Sequence, residues 1–97
     1  MVKKVIWSNR AKNSFDRVIA YLQKDWTEKE IIKFVNQTTK TIDIIQSGVV
    51  THRSSGKKEV FEVLITKHNL LIYKVSKLHY ELLVFYDTRQ HPKKKRF

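Results

Sequence analysis

The hydrophobic residues change their spacing after Gly48, and that change constrains the fold more than any other feature of the chain. Before it, apolar residues recur every three or four positions, the spacing of a helix face. After it, they gather in short runs rich in β-branched, leucine and aromatic side chains, the composition of strands. A chain with its helices first and its strands afterwards is an α+β domain, with helices gathered on one face of the sheet.

The elements follow from local signals. Val2, Val5, Ile6 and Trp7 make a strand-like start, expected near residues 2–7. Ser8 stands where a helix N-cap offers its hydroxyl to an unpaired backbone N–H. Ala11, Phe15, Val18, Ile19, Leu22 and Trp26 then form one apolar face, which predicts a helix near 8–25. Thr27 and Glu30 have the S/T-x-x-E spacing of a capping box and predict a second helix near 28–47. Its apolar face reads Ile31, Val35, Thr38, Ile42 and Ile45, and Gly48 ends it. Strands are expected near 58–65, 70–76 and 79–87, separated by the short polar breaks His68-Asn69 and Ser76-Lys77-Leu78-His79. The predicted order is β-α-α-β-β-β, a helix hairpin on a small, mostly antiparallel sheet.

Ninety-seven residues are room for one domain, expected over 1–92, with 93–97 as a basic tail after Pro92. The chain has no cysteine, which excludes disulfides and thiolate zinc sites. No apolar run approaches the roughly 20 residues that span a bilayer. Met1-Val2-Lys3-Lys4 does not open a secretory signal, so a cytoplasmic protein is expected. The four histidines are scattered without metal-ligand spacing, and no glycine-rich phosphate loop is present. Neither metal nor cofactor is expected.

Charge points to the partner. Twenty Lys and Arg against nine Asp and Glu give +11, so a polyanion or an acidic protein is the natural ligand. Residues 48–97 carry +7 of that charge, which places the anion-binding surface on the strand half and tail. Arg53, Lys57 and Lys58 lie in a polar stretch read as a loop between helix and sheet, able to clamp phosphates. Lys93 and Lys94 would add to the same nucleic-acid-binding surface. At the end of the last strand, Arg89 has the planar fork that binds a phosphate, and it also stands two residues from Asp87, a ready ion-pair partner. His91 can give or take a proton near neutral pH. Tyr73, Tyr80 and Tyr86 lie on strands, where packing and base stacking are both open to them.

The whole chain resembles toxins of the RelE/ParE superfamily of bacterial type II toxin–antitoxin pairs. The resemblance rests on Val5-Ile6-Trp7-Ser8 with Ala11, on Tyr21-Leu22 and Trp26, and on Leu64-Ile65-Thr66-Lys67-His68-Asn69. It continues through Leu71-Ile72-Tyr73-Lys74-Val75 and closes on Leu82-Leu83-Val84-Phe85-Tyr86-Asp87-Thr88-Arg89-Gln90-His91-Pro92. It implies the fold derived above and a cytoplasmic toxin silenced by a cognate acidic antitoxin in a hetero-oligomeric complex. It also implies one of two actions. RelE-like members are mRNA interferases, endoribonucleases that cut mRNA on the ribosome without metal; ParE-like members inhibit DNA gyrase and are not nucleases. For the first action Arg89 falls on the arginine that ends the family's last strand, with His91, Lys57 and Lys58 as its catalytic company. Glu59 and Glu62 stand in the strand where RelE-like enzymes usually carry a basic residue, and a gyrase inhibitor tolerates them there.

Overall fold

The computed structural model describes residues 3–48, 53–54 and 59–89. The chain forms β1 (Lys4–Trp7), α1 (Asn9–Asp25), α2 (Glu28–Ser47), β2 (Arg53–Ser54), β3 (Val60–Thr66), β4 (Asn69–Val75) and β5 (His79–Asp87). The sheet order is β1-β5-β4-β3-β2, antiparallel except for β1, which runs parallel to β5. The predicted β-α-α-β-β-β order is the one observed. It gains a two-residue strand in the stretch read as a loop, where Arg53 and Ser54 pair with Glu62 and Phe61. Two residues are too few to show a strand period in sequence; only the neighbouring β3 edge makes them a strand.

Alternation in β4 divides the core. Leu71 and Tyr73 join Ala11, Val18 and Leu22 of α1 and Phe34 and Ile45 of α2, beneath the helices. Leu70 and Ile72 belong to a second, smaller cluster with Val60 and Val84. A strand buried on both faces reads as a continuous apolar run, and Leu70-Leu71-Ile72-Tyr73 is one.

The first helix begins as expected. Ser8 Oγ accepts the Ala11 N–H at 3.0 Å. The Ser8 hydroxyl also donates to the Leu83 carbonyl at 3.2 Å, and the Ser8 N–H donates to the Leu82 carbonyl at 3.1 Å. Leu83 is the extra residue of a β-bulge, between Leu82 opposite Tyr73 and Val84 opposite Ile72. There β1 ends, and β5, still paired with β4, loses its partner on the other edge. Ser14 takes over: its Oγ accepts the Phe85 N–H at 2.9 Å and donates to the Ala11 carbonyl at 3.1 Å.

The second helix departs from expectation in two ways. Its buried face is Phe34, Thr38, Thr41 and Ile45, with Ile31 and Ile42 half-buried and Val35 38% exposed. Val35 is therefore not a core residue. The helix is turned by about one position so that Phe34 enters an aromatic cluster, 5.1 Å from Phe15 and 6.4 Å from Phe85 between ring centroids. A phenyl ring buries more apolar area than a valine, so Phe34 sets the rotation. Thr38 and Thr41 satisfy their hydroxyls on the helix's own carbonyls, at 2.7 Å to Phe34 and 2.7 Å to Gln37. Thr27 is the N-cap residue, but its side chain makes no capping hydrogen bond. Glu30 turns elsewhere.

No helix among the described residues is long and apolar enough to cross a membrane.

Candidate functional site

Two chain reversals and the end of β5 meet at one end of the molecule. The turn between α1 and α2 supplies Trp26, which ends α1 by donating its N–H to the Leu22 carbonyl at 2.9 Å, and Glu30 and Lys33 from the start of α2. The two-residue turn between β3 and β4 supplies Lys67 and His68, and the end of β5 supplies Arg89. Together they line a cleft of about 360 Å³.

A hydrogen-bonded chain builds its wall. Thr66 Oγ1 donates to Asn69 Oδ1 at 2.6 Å, and Asn69 Nδ2 donates to Asp87 Oδ2 at 2.9 Å. Asp87, only 1% exposed, accepts Arg89 Nε at 3.0 Å on one oxygen and Arg89 Nη2 at 2.7 Å on the other. The Arg89 backbone N–H adds a third bond to the carboxylate at 2.9 Å. Thr88 ties the same segment to the turn through its N–H, 2.8 Å from the His68 carbonyl. Arg89 Nη1 lies 3.9 Å from Glu30, and the guanidinium sits 4.4 Å from the Trp26 ring centroid.

The charges shift each other. Burial pushes the Asp87 carboxyl up, but the hydrogen bonds and charge of Arg89, with Asn69, outweigh it and hold the carboxyl below its usual value. The Asp87 hydrogen bond raises the Arg89 guanidinium above its ordinary value, against burial. Both groups are therefore charged at neutral pH. Tyr73 is buried beside Phe61, and burial, then the charge of Tyr80, pushes its phenol up to about 12. It is a packing residue.

Among the described residues, Arg89 alone of the site residues expected from sequence lines this cleft. Arg53 stands in β2 opposite Glu62 on β3. Lys57, Lys58, His91, Lys93 and Lys94 lie outside the described residues. Glu59 precedes β3 in a left-handed turn, with φ of 64°, and is not a strand residue. Sequence reasoning passed over Trp26, Lys33, Lys67 and His68 as a group. They are distant in sequence, and only the meeting of the two turns makes them neighbours. Among the described residues no cluster of His, Asp or Glu is arranged to hold a metal ion.

No family model matches the chain, and no curated protein matches it significantly. Solved structures do. A chain of the chromosomal ParDE toxin–antitoxin system from P. aeruginosa is 12% identical and superposes with a TM-score of 0.74, over 89% of this chain and 96% of that one. A chain of the E. coli DinJ–YafQ toxin–antitoxin complex is 8% identical, with a TM-score of 0.64 over 94% of this chain and 98% of that one. The YoeB dimer from Staphylococcus aureus is 18% identical, with a TM-score of 0.52 over 87% of this chain and 94% of its own. The chain has the RelE/ParE toxin fold. Within that fold, the cleft at Arg89 combines cations, an imidazole and an aromatic ring at the C-terminal end of β5.

Proposed function

We propose that this chain is the growth-inhibiting toxin of a type II toxin–antitoxin pair, acting by metal-independent cleavage of mRNA on the ribosome. The supporting observation is the fold, which chains of two toxin–antitoxin systems match over 89% and 94% of this chain. An acidic antitoxin is the partner, and the charge of +11 draws both it and RNA.

The chemistry needs a base at the RNA 2′-OH, cations around the phosphate and an acid for the leaving 5′ oxygen. The 2′ oxygen attacks phosphorus, the bond to the 5′ oxygen breaks, and that oxygen leaves with the donated proton. Asp87 occupies Nε and one edge of Nη2 of Arg89, so the remaining donors of the fork are left for a phosphate oxygen. His68 in the cleft and His91 two residues beyond Arg89 are the candidate proton carriers. Lys57, Lys58 and Arg53, with Lys93 and Lys94, are proposed to hold the RNA backbone.

A second reading is ParE-like inhibition of DNA gyrase without nuclease activity. Two observations favour it: the ParDE structure superposes with the higher TM-score of 0.74, and Arg89 is already engaged by Asp87 and Glu30. His68→Ala and His91→Ala separate the two readings. Under the nuclease reading, loss of the proton donor lowers mRNA cleavage in a translating lysate by about 100-fold or more, with the fold intact. Full toxicity of the double variant, with uncut mRNA and a DNA-damage response, would leave the gyrase reading. Arg89→Ala is the poorer test, because it strands the buried Asp87 carboxylate and confounds activity with folding.

A further inference from the structure

We propose that Trp26 is a stacking platform for one unpaired nucleobase, with Lys33 and Lys67 holding the phosphates on either side of that nucleotide. This rests on the reading that the Arg89 cleft meets nucleic acid, but not on the cleft being a nuclease.

Trp26 is an anomaly as a core residue. It follows the apolar face of α1 in sequence, yet it stands at the helix end with 43% of its surface exposed. The Arg89 guanidinium lies over the ring at 4.4 Å from its centroid, and the ring lines the cleft beside it. Arg89 is fixed in turn by Asp87 through bonds of 3.0 and 2.7 Å. The indole is thus backed by a clamped cation and open to solvent, which preorganises it for stacking.

The surroundings supply the rest of a nucleotide site. Lys33 and Lys67 both line the cleft, one from α2 and one from the β3–β4 turn. Both are exposed, and among the described residues neither has an ion-pair partner. His68 lies beside Lys67, and the Asn69 amide is held by Thr66 and Asp87. The cleft of about 360 Å³ lies near the lower end of the roughly 300–1,000 Å³ of small-ligand sites, a size for one nucleotide and not for a duplex. A base stacks through its π-face whatever its identity, so the subsite selects unpaired bases and tolerates sequence. The shared chemistry, base plus phosphate, belongs to single-stranded RNA and to single-stranded DNA.

The chain's two tryptophans make the test direct. Trp7 is an internal control, enclosed by Phe15 and Phe85 at 5.4 and 5.3 Å. The indole N–H resonances are followed by NMR while the protein is titrated with a short mixed-sequence single-stranded RNA, the same DNA strand, and a duplex of that sequence. The expected result is a shift of Trp26 with Trp7 unmoved, for the single strands and not the duplex. Trp26→Ala should weaken single-strand binding about 5- to 150-fold, while Trp26→Phe, which keeps a ring for Arg89 and the base, retains most of it. Lys33→Glu with Lys67→Glu, both exposed, should weaken binding and flatten its salt dependence. A difference between the RNA and DNA arms identifies which polymer the subsite takes. An unmoved Trp26 in a saturated complex, no binding of either strand, an equal shift with duplex, or a folded Trp26→Ala protein of unchanged affinity would each overturn the proposal. Uncut mRNA with the Trp26 shift intact would refute the nuclease reading and leave the subsite standing.

Discussion

α1 spends its buried hydroxyls on the sheet, whereas α2 turns its own back on itself. Ser8 and Ser14 reach β5 where β1 has ended, bonding Leu83 and Phe85 at 3.2 and 2.9 Å. Thr38 and Thr41, equally enclosed, bond only carbonyls of their own helix. Two polar ties from α2 to the rest of the molecule lie at its two ends: Glu30, 3.9 Å from Arg89, and Gln46, whose Nε2 donates to the Lys3 carbonyl at 2.8 Å. The middle of α2 is held by Phe34 among the aromatic rings. Beyond the end of β1, α1 supplies a hydrogen bond that the ladder lacks there, while the middle of α2 supplies apolar area.

The comparison is broken most severely at the shared end of the two helices. Asp87→Ala removes the carboxylate that holds Arg89, whose side chain is 15% exposed, and leaves a largely buried cation without its main partner. The expected loss is about 3–5 kcal/mol. The pH dependence carries its own sign. The Asp87 carboxyl is held below its usual value in the folded protein, so its contribution is complete above the unfolded value of about 3.9. It is lost as the pH falls through the lower folded value. Urea denaturation at pH 7 and in this acid range should show the advantage of wild type over Asp87→Asn shrinking with acidification; an advantage that grows would contradict the assignment.

A smaller effect separates the helices themselves. Ser14→Ala leaves the Phe85 N–H without its acceptor and should cost about 1–3 kcal/mol. Thr38→Val replaces a hydroxyl whose acceptor, the Phe34 carbonyl, keeps its helical bond, and should be nearly neutral. Equal shifts of the two urea midpoints would erase the distinction between the helices.

The smallest expected difference lies at the N-caps. Ser8→Ala should cost about 1 kcal/mol, because the hydroxyl caps Ala11. Thr27→Ala should fall within about 0.5 kcal/mol, because the Thr27 hydroxyl caps nothing. Thermal unfolding of the pair is sensitive enough to rank them, and a larger loss at Thr27 would mean that its capping bond forms in solution.

The change of period at Gly48, the Ser8 cap and the three apolar runs determined the element order by themselves, because backbone periodicity is a local property that a short window reveals. Gly48 also ends α2 as expected, in the left-handed conformation with φ of 74°. Tertiary structure alone decided the rotation of α2, since Val35 and Phe34 both fit a helical stripe and only the Phe15 and Phe85 rings select between them. It decided that the Thr27 hydroxyl makes no capping bond and that Glu30 lies 3.9 Å from Arg89, 59 positions beyond it in the sequence. The ion pair of Arg89 was visible in its spacing from Asp87, but the bidentate bond needed the end of β5 folded against its neighbours. The cleft was illegible for the same reason. Trp26 at the α1–α2 turn, Lys33 on α2, and Lys67 and His68 in the β3–β4 turn have no sequence relation, and such a site exists only once the helices have packed on the sheet.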